Sequence, residues 1–375
     1  LAAMTGAAGA RIRWDDYVFT ADTNSSCRTI ADAAKLGSGR VLLVCGGGFD
    51  PRTLDAPRAI ATLGIDTLDV IALQPNAEGL HDQAESEATR NVAELEQRFG
   101  GRFRVVRSPE VAEVNSAGTM LSRILVHNHD VLSYDAVIID MSGLPSTISF
   151  SVIQLFLNQS VAASDRFDGN LLVVVAEDAT VDEQIRRSGL GRPSVLNSLT
   201  RFPDRPANVI WIPVLGPGSS EQLEKLRGML DPEEVCPVVP FPASFARRGD
   251  NLIVEHGTFL FDEMQFEPRN VLYATELNPF DLYRQMVSLA RRYRTALDPL
   301  GEPTIVTSEH GSKLLSLGVL LAAHEEHIVV AQVDAQAYRF ESSETASRRE
   351  PVIYTAWLTG EPYAVSGRQD DVSDA

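Results

Sequence analysis

Short apolar runs alternate with helix-spaced segments along almost the whole chain, and this alternation constrains the fold more than any single motif. Runs at 41–45, 68–73, 102–106, 135–140 and 170–176 read as strands, and the pattern resumes at 208–214, 234–239, 270–274, 304–307 and 328–333. Helical spacing falls between them, at 27–35, 55–63, 83–99, 116–126, 148–157, 221–230, 280–296 and 313–324, with 247–263 ambiguous and helical from Asp250 on. Strand and helix in regular alternation predict an α/β fold, a mostly parallel sheet with helices on both faces. About ten strands fit one sheet poorly. Two Rossmann-like doubly wound units are the simpler solution.

The division predicted is an N-terminal anchoring segment at 1–36, a first unit at 37–185, a linker or seam at 186–207, a second unit at 208–340, and a polar loop, edge strand and tail at 341–375. Trp14, Tyr17 and Phe19 read as the anchor. The seam is drawn where Arg, Gly, Pro and Ser replace any apolar period. Asn24, Ser25 or Ser26 is expected to cap the first helix, and Asp55 the next. No internal sequence repeat is visible, so any likeness between the units would be structural.

The stretch at 40–52, RVLLVCGGGFDPR, is a strand that stops at Gly46, Gly47 and Gly48 and leads into a helix. That order places an anion at a helix N-terminus. The spacing is neither G-x-G-x-x-G nor a P-loop, so no ligand is named by it. Charge narrows the partners. A net charge of −18 opposes general binding to nucleic acid or anionic lipid. Cys27, Cys45 and Cys236 form no close pair, which argues against a disulfide framework or a structural zinc. With no apolar run of membrane-spanning length and no signal-peptide pattern at 1–9, the reading is a cytoplasmic protein that binds no membrane.

In open α/β sheets ligands sit beyond the carboxyl ends of the strands. The polar residues there are Gly46, Gly47, Gly48, Asp50 and Arg52, then Asp140 and Ser142, then Glu177 and Asp178. In the second half they are residues 216–219, Glu276 and Asn278, and residues 308–313, with Ser308, His310, Gly311, Ser312 and Lys313 as candidate ligand contacts. Arg52 would meet an anion, or else pair with Asp50. Asp140, Glu177 and Glu276 are the candidate catalytic carboxylates, as acid, base or metal ligand, with helix capping as their plainer use. Arg247 and Arg248 make a local basic patch suited to an anion. His127 with His129, and His324 with His327, lack a third ligand, so no metal is predicted.

Residues 304–340 resemble the matching segment of CARF- and SAVED-type Rossmann-like sensor domains, in which a strand runs into a Gly-Thr-Lys loop and a helix of small residues. Here the loop is Gly311-Ser312-Lys313, with His310 where those domains carry glycine. The resemblance implies a cyclic or linear oligonucleotide ligand, contact through Gly311, Ser312 and Lys313, and a place in a bacterial antiphage system. Three readings stand: a nucleotide-like anion sensor or adaptor within a defence-type complex, an enzyme acting on a nucleotide or sugar phosphate, and a structural subunit whose surface binds a protein. The first leaves the cofactor open as a nucleotide or oligonucleotide and allows a protein partner.

Overall fold

The computed structural model describes residues 12–74, 82–108, 114–158, 167–178, 181, 185–196, 198–340 and 350–364. The readings of residues 1–9, of the polar loop at 341–349 and of the tail at 368–375 lie outside the described residues. The N-terminal segment gives β1 (Val18–Thr20) and α1 (Thr23–Ala33). Next come β2 (Val41–Gly46), α2 (Asp55–Ala61), β3 (Leu68–Gln74), α3 (Asp82–Phe99), β4 (Phe103–Arg107), α4 (Val114–His129), β5 (Ala136–Asp140), α5 (Ser146–Leu157) and β6 (Asn170–Glu177). The chain continues through β7 (Ile185–Val195), β8 (Ile210–Val214), α6 (Ser220–Leu230), β9 (Glu234–Val235), β10 (Val238–Pro240) and α7 (Arg248–Glu255). It closes with β11 (Leu272–Ala274), α8 (Pro279–Leu297), β12 (Ile305–Glu309), α9 (Lys313–Glu326), β13 (Val329–Phe340) and β14 (Val352–Thr359).

The fold is α/β with two mostly parallel sheets. The first has the order β1-β14-β6-β5-β2-β3-β4, and the second β11-β10-β8-β12-β13-β7, with β9 beside β8. In each, five strands along the main path are parallel, and numbered along the chain without β9, which pairs parallel with β8 off that path, they lie 3-2-1-4-5. Antiparallel strands are then added beyond the fifth: β14 and β1 in one sheet, β7 in the other. The two units therefore repeat a topology without repeating a sequence. Strands β2, β5 and β8 are buried along their whole length, as the unbroken apolar runs require.

Alternate side chains of each sheet enter different cores. One face of the first sheet packs with Ile30, Ala56, Ile60 and Leu95 of α1, α2 and α3. The far face of the second packs with Leu223 and Leu226 of α6 and Leu252 of α7. The two remaining faces share a single core, filled by Leu121 and Leu125 (α4), Phe150 and Ile153 (α5), Met286 (α8) and Leu317 and Leu321 (α9). The result is a helix–sheet–helix–sheet–helix stack in which the units are fused through a continuous apolar interior. Trp14 is fully buried at this junction. Its indole donates to the Leu358 carbonyl at 2.9 Å, and its amide is bound by the Tyr283 hydroxyl at 3.2 Å. Tyr17 stacks on Phe280 at 4.2 Å.

Several local expectations change. The stretch expected as linker contains β7, which pairs antiparallel with β13. Its Gly189, Gly191 and Pro193 suggest coil, yet β7 is an edge strand bonded on one side, where a missing proline N–H is tolerated. The expected edge strand at 352–358 is β14, and it is internal, because β1 covers its other side. α1 starts at Thr23 and is capped by Asp22, whose carboxylate accepts from the Ser25 amide at 2.8 Å. Asp55 is not a cap. Asp50 does that work for a 3-10 turn, Pro51–Leu54, that precedes α2. His127 and His129 lie in the last turn of α4, which runs past the helical spacing expected to end at residue 126.

Candidate functional site

The carboxyl end of β2 lies beside that of β5, which is where the strand order of the first sheet reverses. Backbone, not ligand space, fills this reversal. A Cβ on Gly46 would come within 2.9 Å of the Gly143 carbonyl oxygen, and one on Gly143 would overlap Thr53 Oγ1. Gly47 donates to the Leu73 carbonyl at 2.8 Å, and the Gly48 carbonyl accepts from Asn91 at 2.9 Å. Arg52 is 4% exposed and closes onto Asp50 at 2.8 Å, so it does not present its charge outward. The two form the mutual ion pair that steadies the turn.

Asp140 is wholly buried at the same point. Its Oδ1 accepts from the Ser142 amide at 2.9 Å and from the Ser142 hydroxyl, which itself accepts from the Ala176 amide at 2.7 Å. Its Oδ2 has no hydrogen-bond partner among the described residues. Burial pushes the Asp140 acid up to about 7 against the pull of Ser142, and the carboxylates of Asp55 and Asp50 add to the rise. The expected pairing of Asp140 with Glu177 is not formed. Asp140 is in register with Val174, three residues short of Glu177, a distance on the order of 10 Å along a strand. Ser142, bonded to both Asp140 and β6, is a strut between them.

The second sheet reverses between β8 and β12, and there too the loops touch. Gly216 lies directly against the His310 carbonyl. Ser308 is buried and bonded to Trp211 Nε1 and His310 Nε2, each at 3.1 Å. His310 is itself 6% exposed, and its amide donates to Val214 at 3.0 Å. Ser308 and His310, expected as ligand contacts, are therefore internal packing groups. A Cβ on Gly311 would meet Leu315 and Val214 at 3.1 Å. Ser312 caps α9, accepting from the Leu315 amide at 3.4 Å. Lys313 reaches across to the first unit and donates to the Leu144 carbonyl at 2.6 Å. The Leu314 amide donates to Glu177 at 3.4 Å. This loop acts as a tie between the units.

Glu276 lies close by, 1% exposed. The Ser244 amide and hydroxyl both donate to its Oε2, the former at 2.7 Å, and Arg248 Nε stands 2.7 Å from its Oε1. Glu177 and Glu276 act on one common neighbour. Burial raises the Tyr354 phenol, and both carboxylates raise it further. Glu276 is thus a positioning group that fixes the loop at 241–248.

That loop, FPASFARR, holds the groups that face outward. Phe241 is 67% exposed, Phe245 46%, and Tyr273 on the neighbouring β11 57%. Phe241 and Tyr273 meet edge to face at 6.2 Å. Arg248 lies over the Phe245 ring at 4.9 Å. Arg247 adopts a left-handed conformation (φ 65°), and its guanidinium has no partner among the described residues. The arginine pair is legible in the sequence by its charge. The aromatics are harder to see there, although two phenylalanines in a proline-containing loop beside Arg-Arg are a usable signal.

Two shallow hollows among the described residues lie elsewhere. One of about 590 Å³ opens on α3 at Glu85, Ser86, Thr89 and Arg90, and one of about 280 Å³ lies at the amino ends of the first sheet's strands, at Gly37, Asp135 and Asn170. Neither borders the triple-glycine bend or the His310–Lys313 bend. No group of three or more metal-ligating side chains is present among the described residues.

No helix among the described residues is long and apolar enough to cross a membrane. No family model matches the chain, and no curated protein does. Among solved structures it is similar to a universal stress protein from Archaeoglobus fulgidus, 11% identical over 77% of this chain and 94% of that one, with a TM-score of 0.23. A second is a functionally unknown protein from Pseudomonas aeruginosa, 11% identical over 78% of this chain and 91% of that one, with a TM-score of 0.21. Likenesses this faint carry no argument, and the fold rests on the strand order itself.

Proposed function

We propose that the protein binds a nucleotide-like anion, as a sensor or adaptor, on the open shelf formed by Phe241, Phe245, Tyr273, Arg247 and Arg248. The observation that carries this reading is the exposed Arg247, unpartnered among the described residues, on the same loop as the exposed Phe241 and Phe245. Rings stack on bases, and guanidinium groups take phosphate oxygens in pairs. The ion pair with Glu276 and the Phe245 ring hold Arg248 in place before a ligand arrives. The overall negative charge opposes long nucleic acids, so the ligand is short. The resemblance at 304–340 further implies an oligonucleotide messenger and membership of a bacterial defence assembly. Under this reading Lys313 transmits between units instead of touching the ligand.

The test is thermal stability against a panel of mononucleotides and cyclic and linear oligonucleotides, because a ligand selective for the folded state raises the midpoint. Arg247→Ala removes no internal side-chain contact among the described residues, so the fold is expected to survive. It should weaken binding about tenfold, near 1.4 kcal/mol. Phe241→Ala should cost about 1–3 kcal/mol if a base stacks there. Binding that survives both changes at full strength, or no shift with any member of the panel, overturns the reading.

A further inference from the structure

We propose that Ser220 and His256 form a nucleophile–base pair able to transfer the acyl group of a small carboxylic ester. The pair sits where β8 ends, on the first residue of α6, across the loop Leu215-Gly216-Pro217-Gly218-Ser219. Ser220 Oγ is 3.0 Å from His256 Nδ1. The other ring nitrogen, Nε2, is 2.9 Å from the Gly216 carbonyl oxygen. A carbonyl only accepts, so Nε2 carries the proton of the neutral ring and Nδ1 offers a lone pair. The Ser220 hydroxyl then donates to Nδ1, which is the arrangement that activates a serine.

The Gly216 carbonyl orients the base, and a carboxylate lies near it without a hydrogen bond. The Glu255 carboxylate is 3.8 Å from Nε2, on the side away from Ser220, and it accepts from the Gly218 amide at 2.6 Å. His256 is 1% exposed, so the ring is fixed by packing as well as by these bonds. Ser219 spends its hydroxyl on the Gly216 carbonyl at 2.8 Å and gives α6 no side-chain cap. The first-turn amides of the helix have no intrahelical partners, and the proposal assigns them as the donors to a developing oxyanion. Pro217 and Gly218 are exposed, and no atom lies within 4 Å of where a Gly218 Cβ would stand, which leaves an approach to the half-buried Ser220.

The chemistry balances without a cofactor. Ser220 Oγ bonds to the acyl carbon as its proton passes to His256 Nδ1, and the carbonyl electrons move onto oxygen. Collapse expels the alkoxide, which takes the proton from Nδ1. Water then attacks the acyl-serine, giving its proton to Nδ1, and releases the acid with Ser220 restored. The sequence conceals this pair because Ser220 and His256 are 36 residues apart. The proposal does not depend on the nucleotide-binding shelf.

The experiment uses the intact chain with p-nitrophenyl acetate and with a fluorophosphonate probe read by mass spectrometry. One adduct on the peptide containing Ser220 is expected, and Ser220→Ala should remove it and lower turnover at least about tenfold. His256→Gln keeps a donor for the Gly216 carbonyl but has no base, so it should abolish labelling. If that variant does not fold, Ser220→Ala, with its fold checked by circular dichroism, decides by loss of both the adduct and the turnover. An unlabelled Ser220 in folded protein, or turnover unchanged in Ser220→Ala, overturns the proposal and leaves the hydroxyl as an anchor for the ring.

Discussion

Gly216→Ala is expected to lose on the order of 3 kcal/mol of stability or more, the largest effect of any glycine-to-alanine change among the described residues. The new Cβ would overlap both the carbonyl oxygen and the carbonyl carbon of His310. Both atoms are backbone, so no rotamer change relieves the overlap. β8 and β12 are the two middle strands of the second sheet, paired over five residues from Ile210 to Val214, and prising their ends apart disturbs that whole ladder. Two other glycines calibrate the result. Gly48 has no atom within 4 Å of its added Cβ and no left-handed φ, so Gly48→Ala should stay within about 0.5 kcal/mol. Gly218 has open space but φ 67°, so its alanine variant should cost about 1 kcal/mol from backbone strain alone. Urea unfolding of the three variants gives the ranking. A Gly216→Ala midpoint equal to that of Gly48→Ala would mean that the two reversal loops are not in contact.

Asp140→Asn is expected to stabilise the protein at alkaline pH and to do nothing at acid pH. The acid is raised from its ordinary 3.8 to about 7 in the folded state, chiefly by burial. Below pH 4 both folded and unfolded chains hold the proton, and the group favours neither. As pH rises through the window between 4 and 7, the unfolded chain ionises first, so the acid's contribution to stability is lost. Above 7 the full difference is in force. The gap between the folded and unfolded acidities corresponds to about 4 kcal/mol, so a gain of roughly 2–4 kcal/mol is expected from the neutral amide at pH 8. The amide oxygen still accepts from both Ser142 donors. The measurement is the difference in unfolding free energy between the two proteins at pH 4, 6 and 8. A difference that does not grow with pH would show that Asp140 is ionised at no cost.

The architecture was legible because it depends on local pattern. Both sheets follow from runs such as those at 41–45 and 170–176, whose apolar character is unbroken. Expectation and structure part where one-sided pairing licenses residues that look like coil, as at Pro193 in β7, or where a strand's neighbours come from far along the chain, as for β14. The site was far less legible. Asp50, Arg52, Ser308 and His310 have the right chemistry at the right strand ends, yet each is consumed by a neighbour that no periodicity reveals. Lys313 bonds to a carbonyl 169 residues away. Arg247 is exposed, whereas its neighbour Arg248 turns inward to the buried Glu276.

The position of β14 has a bearing on biosynthesis. A nascent chain emerging from the ribosome completes every strand of the second sheet before the strand that seals β6 has been made. Until then β6 has an open flank, β1 has nothing to pair with, and Trp14 has no Leu358 carbonyl to bind. The half that is translated first is thus the half that matures last, and a stall anywhere before residue 352 leaves a sticky β flank exposed to whatever else is in the cell.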